Sequence, residues 1–176
     1  FDFKNGFLPQ NGVDKTFFDD GKQQSYAIYK EDKIIEGKRW NENGTLILDH
    51  SFPKYSKSFF DNGKLKTDYT GLLDYDDNGK LESIDGYQRT YAEDGSLAFS
   101  SLYKNKILIQ ASYRKENIYL EVQWDTTGSF ATNYKLWMDG ILIMENSGIM
   151  DSNFNLIFGK KSIFYTNGKK KSIAIY

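Results

Sequence analysis

Large apolar residues recur along this chain at a fixed distance before glycine. Gly21, Gly44, Gly63, Gly79, Gly95, Gly128, Gly148 and Gly168 are preceded, four residues earlier, by Phe17, Trp40, Phe59, Tyr75, Tyr91, Trp124, Met144 and Phe164. Two residues after the same glycines stand Gln23, Leu46, Leu65, Leu81, Leu97, Phe130, Met150 and Lys170, most of them apolar. The residue just before each glycine is Asp, Asn, Thr or Ser, which favours turns. Short runs broken at this interval predict β-hairpins and leave no room for a helix.

Comparing the copies fixes a register. An isolated Asn-Gly predicts a two-residue turn, which would set Phe60 opposite Leu65. Because the positions at minus four and plus two are the apolar ones, they are expected to be cross-strand partners, which requires a three-residue loop with glycine left-handed in a G1 bulge. That register sends the residue at minus three to the other face, opposite plus one, as in Phe18/Lys22, Phe60/Lys64 and Tyr165/Lys169. A lysine stem over a ring makes a stable exposed pair. Phe59 is therefore expected to be much more buried than Phe60. Gly95 and Gly128 are about two units apart, so a degenerate copy is expected between them, at "LYKNKIL" or "YRKENIY", with another at "YKEDKII".

The expected fold is all-β, an elongated antiparallel meander of stacked β-hairpin repeats with essentially no helix and one face buried by aromatics. Residues 1–176 are read as a single repeat domain of about eight or more hairpin units, its core formed by the eight residues at minus four. Composition agrees: 13 Phe, 13 Tyr, 3 Trp and 15 Gly stand against 2 Pro. A net charge of −1 argues against a nucleic-acid partner. The sign is uneven, since residues 1–88 hold 12 basic and 16 acidic side chains, and residues 89–176 hold 11 and 8. From Ser152 onward there are five lysines and no acid, which protects a sheet edge or meets an anionic surface. No apolar run is long enough to span a membrane as a helix. The chain starts at Phe1 rather than Met, as a cleaved signal peptide or a shortened chain both leave it, and an exported location is slightly favoured over a cytoplasmic one.

Residues 17–46, "FFDDGKQQSYAIYKEDKIIEGKRWNENGTL", resemble the bacterial variant of the MORN repeat, and "FFDNGKLK", "DYDDNGKLES" and "IFYTNGKKKS" repeat its first half. Pieces also resemble choline-binding cell-wall repeats and the YD repeats of toxin shells, although the Trp-rich half of the first and the length of the second are missing. The MORN-variant resemblance implies a repeat scaffold without catalytic residues, in some members an antitoxin or immunity partner of secreted toxins, in others an exported or surface protein.

The residues offer little chemistry. No cysteine is present, and His50 is the only histidine, so neither a nucleophile nor a metal set can be built around it. His50 followed by Pro53 reads as a polar connection. Asp74, Asp76 and Asp77 lack the spacing of a calcium loop and read as turn caps. "GKKS" at 159–162 lacks the first glycine of a phosphate loop. The chain is expected to be no enzyme and to need no cofactor or metal. A protein partner comes first and a glycan or cell-wall surface second. The candidate contact residues are Phe18, Phe60, Tyr165, Lys160, Lys161, Lys169 and Lys171.

Overall fold

The computed structural model describes residues 11–31, 33–76 and 81–176, and its regular structure is entirely β. The strands are β1 (Asn11–Phe17), β2 (Gln23–Lys30), β3 (Lys33–Trp40), β4 (Leu46–Ser51), β5 (Tyr55–Phe59), β6 (Leu65–Tyr75) and β7 (Leu81–Tyr91), followed by β8 (Leu97–Lys104), β9 (Ile107–Lys115), β10 (Ile118–Trp124), β11 (Ala131–Met138), β12 (Ile141–Met150), β13 (Leu156–Phe164) and β14 (Lys170–Ile175). Strand order is chain order and the pairing is antiparallel, so the all-β hairpin meander is the fold. Two compact units, Phe1–Ser96 and Leu97–Tyr176, are described separately.

The turn register follows the repeat. Phe17 pairs with Gln23, Trp40 with Leu46, Phe59 with Leu65, Tyr75 with Leu81 and Phe164 with Lys170. At 60–64 the Phe60 N–H donates to the Lys64 carbonyl at 2.8 Å and the Gly63 N–H to the Phe60 carbonyl at 2.8 Å, with Gly63 at φ 79°. This is the three-residue loop with a left-handed glycine, and the same two bonds close the turns at 18–22, 41–45, 92–96 and 165–169. The acid or amide before the glycine accepts from the N–H after it: Asp20 from Lys22, Asn62 from Lys64, Asp94 from Ser96 and Asn167 from Lys169, at 2.7 to 3.0 Å. The residues at 77–80, including Asn78, Gly79 and Lys80, lie outside those described.

Several of these hairpins carry a second irregularity that the pattern does not announce. Ser58 pairs with Thr67 beside the Phe59–Leu65 pair, which makes Lys66 an extra residue in the ladder; Gln24, Ile47 and Lys171 occupy the same place in theirs. The expected degenerate copies are two-residue turns: Lys30 pairs with Lys33, Lys104 with Ile107 and Lys115 with Ile118. Glu31, Asn105 and Glu116 take φ values of 50 to 52° there.

Two copies depart from the register. Gly148 is in no turn but lies within β12, opposite Gly159 of β13. The turn of that copy runs from Asp151 to Asn155 with Phe154 at φ 61° in the glycine position. The Asp151 carboxylate accepts the N–H groups of Asn153 and Asn155 at 2.9 and 2.8 Å, closing the turn without glycine. The apolar pair is consequently Met150–Leu156, and Met144 sits mid-strand between Leu136 and Ile163. At Gly128 the loop is one residue longer, with the Asp125 N–H on the Phe130 carbonyl, so Trp124 pairs with Ala131 and Phe130 is exposed.

The core also differs from expectation. None of the eight residues at minus four is fully buried, and Phe17, opposite Gln23, is 57% exposed. Phe59 and Phe60 are both half-buried, so the predicted contrast between them is absent. A large ring laid on a sheet keeps one side in water unless a second layer covers it, whereas small side chains are covered by their neighbours. Among the described residues, the buried ones include many small side chains, Ser25, Ala27, Ser56 and Ser83 in the first unit and Ser101, Ala131 and Ser162 in the second, together with Tyr29, His50, Asp68 and Leu73 and with Val122, Asn146 and Met150.

His50 is a correction of a different kind. It is 2% exposed inside β4, not in a polar connection. Its Nε2 lies 3.3 Å from the Ile34 carbonyl and 3.2 Å from the Tyr75 hydroxyl, while the Tyr75 ring stacks on Phe52 at 5.4 Å. The segment after β4 is held in place by bonds from Phe52 N–H to the Ile35 carbonyl and from Leu73 N–H to the Pro53 carbonyl. Burial pulls the imidazole pKa below its ordinary value, against smaller opposing effects of the Ile34 carbonyl and Asp49. The unfolded chain therefore binds this proton more readily than the folded one. The contribution is fully present above about pH 6.5 and is lost as pH falls from there through the folded pKa. We expect a urea midpoint that begins to decline as pH falls below about 6.5, and a His50→Gln variant in which that part of the decline is gone.

Candidate partner-binding surfaces

In the first unit, pairing across β1 to β7 puts Tyr26, Tyr55 and Tyr87 on one face with Lys15, Lys57 and Arg89. The cations lie over the rings: Lys15 over Tyr26 at 6.0 Å, Lys57 over Tyr55 at 5.6 Å and Arg89 over Tyr87 at 4.5 Å. Arg89 also meets Asp68 at 3.6 Å, and the Tyr55 hydroxyl donates to Asp49 at 3.4 Å. The face satisfies its own charges and covers its own rings, which stabilises the sheet more than it offers a docking surface.

Phe18 and Phe60 occupy turns of this unit. Lys22 does not cover Phe18; it forms an ion pair with Asp20 at 2.7 Å, and the hydrogen bond from Lys22 holds the Asp20 carboxyl below its usual pKa. Lys64 donates to the Asp94 carbonyl at 3.2 Å, and the cation over Phe60 is Lys66, at 5.6 Å. At the last turn Lys171, not Lys169, lies over Tyr165 at 5.6 Å, and Lys170 lies over Phe164 at 5.7 Å. The cause is the extra residue: the bulge at plus three, rather than the turn position at plus one, brings its stem onto the ring.

In the second unit Tyr165 is half exposed, with Lys169 and Lys171 around it. Lys160 and Lys161 are not part of that group. They lie toward the other end of β13, where Lys160 is flanked by Ser147 and Ile175 and half-buried Lys161 by Asn146 and Ala174. The five lysines thus do not make one basic patch. "GKKS" runs within a strand and leads into no helix, unlike a phosphate loop. Among the described residues, no three His, Cys, Asp or Glu side chains converge as metal ligands would.

Residues not singled out in the sequence form the most exposed apolar surface of this unit. Ile149 and Phe158 are cross-strand partners, and Phe158 is 66% exposed. Two residues further along the same face, Lys160 faces Ile175, which is 81% exposed, and Ser162 faces Ile173, which is 50% exposed. The signal was the alternation in "LIFGKKSIF" and "KKSIAIY", which reading Gly148 as a turn obscured.

The family model described as MORN repeat variant matches residues 84–105, from β7 through the turn at 92–96 and β8. Residues 17–46, which also resemble that repeat, lie outside the match. MORN repeats are generally modules that bind proteins or membranes. No curated protein matches the chain.

Proposed function

We propose that the protein is a non-enzymatic repeat scaffold that binds a protein partner through the apolar surface of β12 to β14. The observation that carries this is the cluster Ile149, Phe158, Ile173 and Ile175, exposed on one face beside Lys160. Neighbouring exposed apolar side chains on a sheet mark contact sites more often than isolated ones do. Its most specific form is a toxin-neutralising immunity or antitoxin-type protein, a role that the resemblance to the MORN variant implies for some of its members.

Replacing Phe158 and Ile175 together by Ser leaves the buried residues in place and should weaken capture of a partner from source cells about thirtyfold, the effect of losing one hot spot. Equal capture by both forms would count against the surface. The immunity form also requires that co-expression relieves the growth arrest caused by a toxin encoded nearby. A membrane surface is the second reading, favoured by Lys160 beside the same apolar cluster. Sedimentation with phosphatidylserine vesicles, lost in the double variant and in high salt, would replace the protein reading with that one. A glycan or cell-wall surface, suggested by the rows of rings, is the remaining alternative.

A further inference from the structure

We infer that the second unit holds a binding site for a neutral hexose in the cleft between the turn after β8 and the turn after β10. The inference takes up the glycan-binding alternative at a defined place within the second unit and does not depend on a protein partner.

The cleft follows from the ladder. β9 and β10 stay paired only as far as Gln110 and Gln123. Leu102 pairs with Gln110 and Tyr103 with Leu108, so Ile109 is an extra residue that bends β9 at the point where pairing with β10 stops. On the other side Thr132 is extra between the Gln123–Asn133 and Trp124–Ala131 pairs. Two irregularities at one level splay the strand ends and open a cleft of about 440 Å³, lined by Trp124, Gln110, Gln123, Asn105, Thr132 and Lys104. That volume would hold a small molecule, which the open cleft leaves partly in water.

The lining is chemically specific. Trp124 supplies an indole fixed from behind by Phe154, whose ring meets it edge-on at 6.5 Å, and by the buried cluster of Val122, Ala131 and Met150. Carboxamides and a hydroxyl line the same cleft, and these groups both donate and accept, as sugar hydroxyls do. Gln123 is oriented by its Nε2 donating to Glu121 at 3.3 Å, which leaves the amide oxygen as an acceptor, and the Thr132 hydroxyl is placed by donating to the Gln123 carbonyl at 3.3 Å. A hexose has an apolar face for the indole and a rim of hydroxyls for the amides. With one ring rather than two, the site grips one face of the sugar and leaves the other in water. This favours weak binding to a sugar within a longer chain, where neighbouring contacts add affinity.

The test is two-dimensional NMR of the full chain titrated separately with glucose, galactose, mannose and N-acetylglucosamine, up to about 100 mM, which would nearly saturate a site of millimolar affinity. One of the sugars should move the Trp124 indole N–H and the side-chain amides of Gln110 and Gln123, leaving the Trp40 and Trp137 indoles in place. Trp124→Ala risks the fold, so Gln110→Leu is the informative variant: it should weaken the titration about fivefold at an unchanged melting temperature. The inference is overturned if none of the four sugars moves these signals, if adenosine moves them as well as any sugar does, or if Gln110→Leu titrates like the parent. Loss of partner capture by the Phe158 and Ile175 variant bears only on the scaffold reading, so the two can fail independently.

Discussion

Gly86→Ala is expected to lower stability by about 3 kcal/mol or more and to break the β6–β7 hairpin at its middle. Gly86 faces Gly71 across the ladder, with φ values of 130° and 128° that side chains rarely adopt. A Cβ on Gly86 would overlap the Thr70 carbonyl, and one on Gly71 the Asp85 carbonyl; both obstacles are backbone, so no rotamer change relieves them. The control is Gly168→Ala, where φ is 77° but nothing stands near an added Cβ. Left-handed strain alone costs about 1–2 kcal/mol there. Hydrogen exchange should show β6 and β7 losing protection in Gly86→Ala and only the last turn changing in Gly168→Ala. Equal losses of stability would mean that the facing glycines serve merely as flexible residues. Gly71→Ala added to Gly86→Ala should cost less than it does alone, because the close approach is already gone.

The same contrast explains what could be read from the sequence. Gly63 is legible because its setting is local: an amide before it, a polar stretch around it and apolar residues at fixed distances on both sides. Gly148 has a similar local setting, with Ser147 before it and Met144 and Met150 around it, yet it is fixed by Gly159 on the next strand. The shared spacing of apolar residues around the two glycines does not separate them, although Gly148 is followed by Ile149 and Met150 where Gly63 is followed by Lys64. Phe154 was missed for the complementary reason, since the Asp151 carboxylate replaces what glycine supplies elsewhere. Hairpin existence and most turn registers follow from short-range chemistry, whereas facing glycines and bulges depend on pairing. The candidate surface suffered from the same limit. A one-residue bulge decides whether Lys64 or Lys66 covers Phe60, and the exposed Ile149–Phe158 pair emerges only once two strands are aligned.

Met150→Ala tests the corrected register of the second unit directly, and a loss of about 2–5 kcal/mol is expected. Met150 is 1% exposed, opposite Ala131 on one side and Leu156 on the other, and packs with Val122 against Trp124, Tyr134 and Phe154. Truncation leaves a void walled by rings that are already in contact, Tyr134 with Phe154 at 5.7 Å, so collapse around it is restricted. Met144, which the glycine spacing places in the core, is half-buried between Leu136 and Ile163 and should cost only about 1 kcal/mol when truncated. Urea denaturation of the two variants separates the registers. If Met144→Ala proves the more damaging, Gly148 is the turn glycine after all, and the exposed face built on Ile149 and Phe158 loses its basis. If Met150→Ala dominates, the void should also loosen Trp124 from behind, weakening hexose binding without any change to the residues that line the cleft.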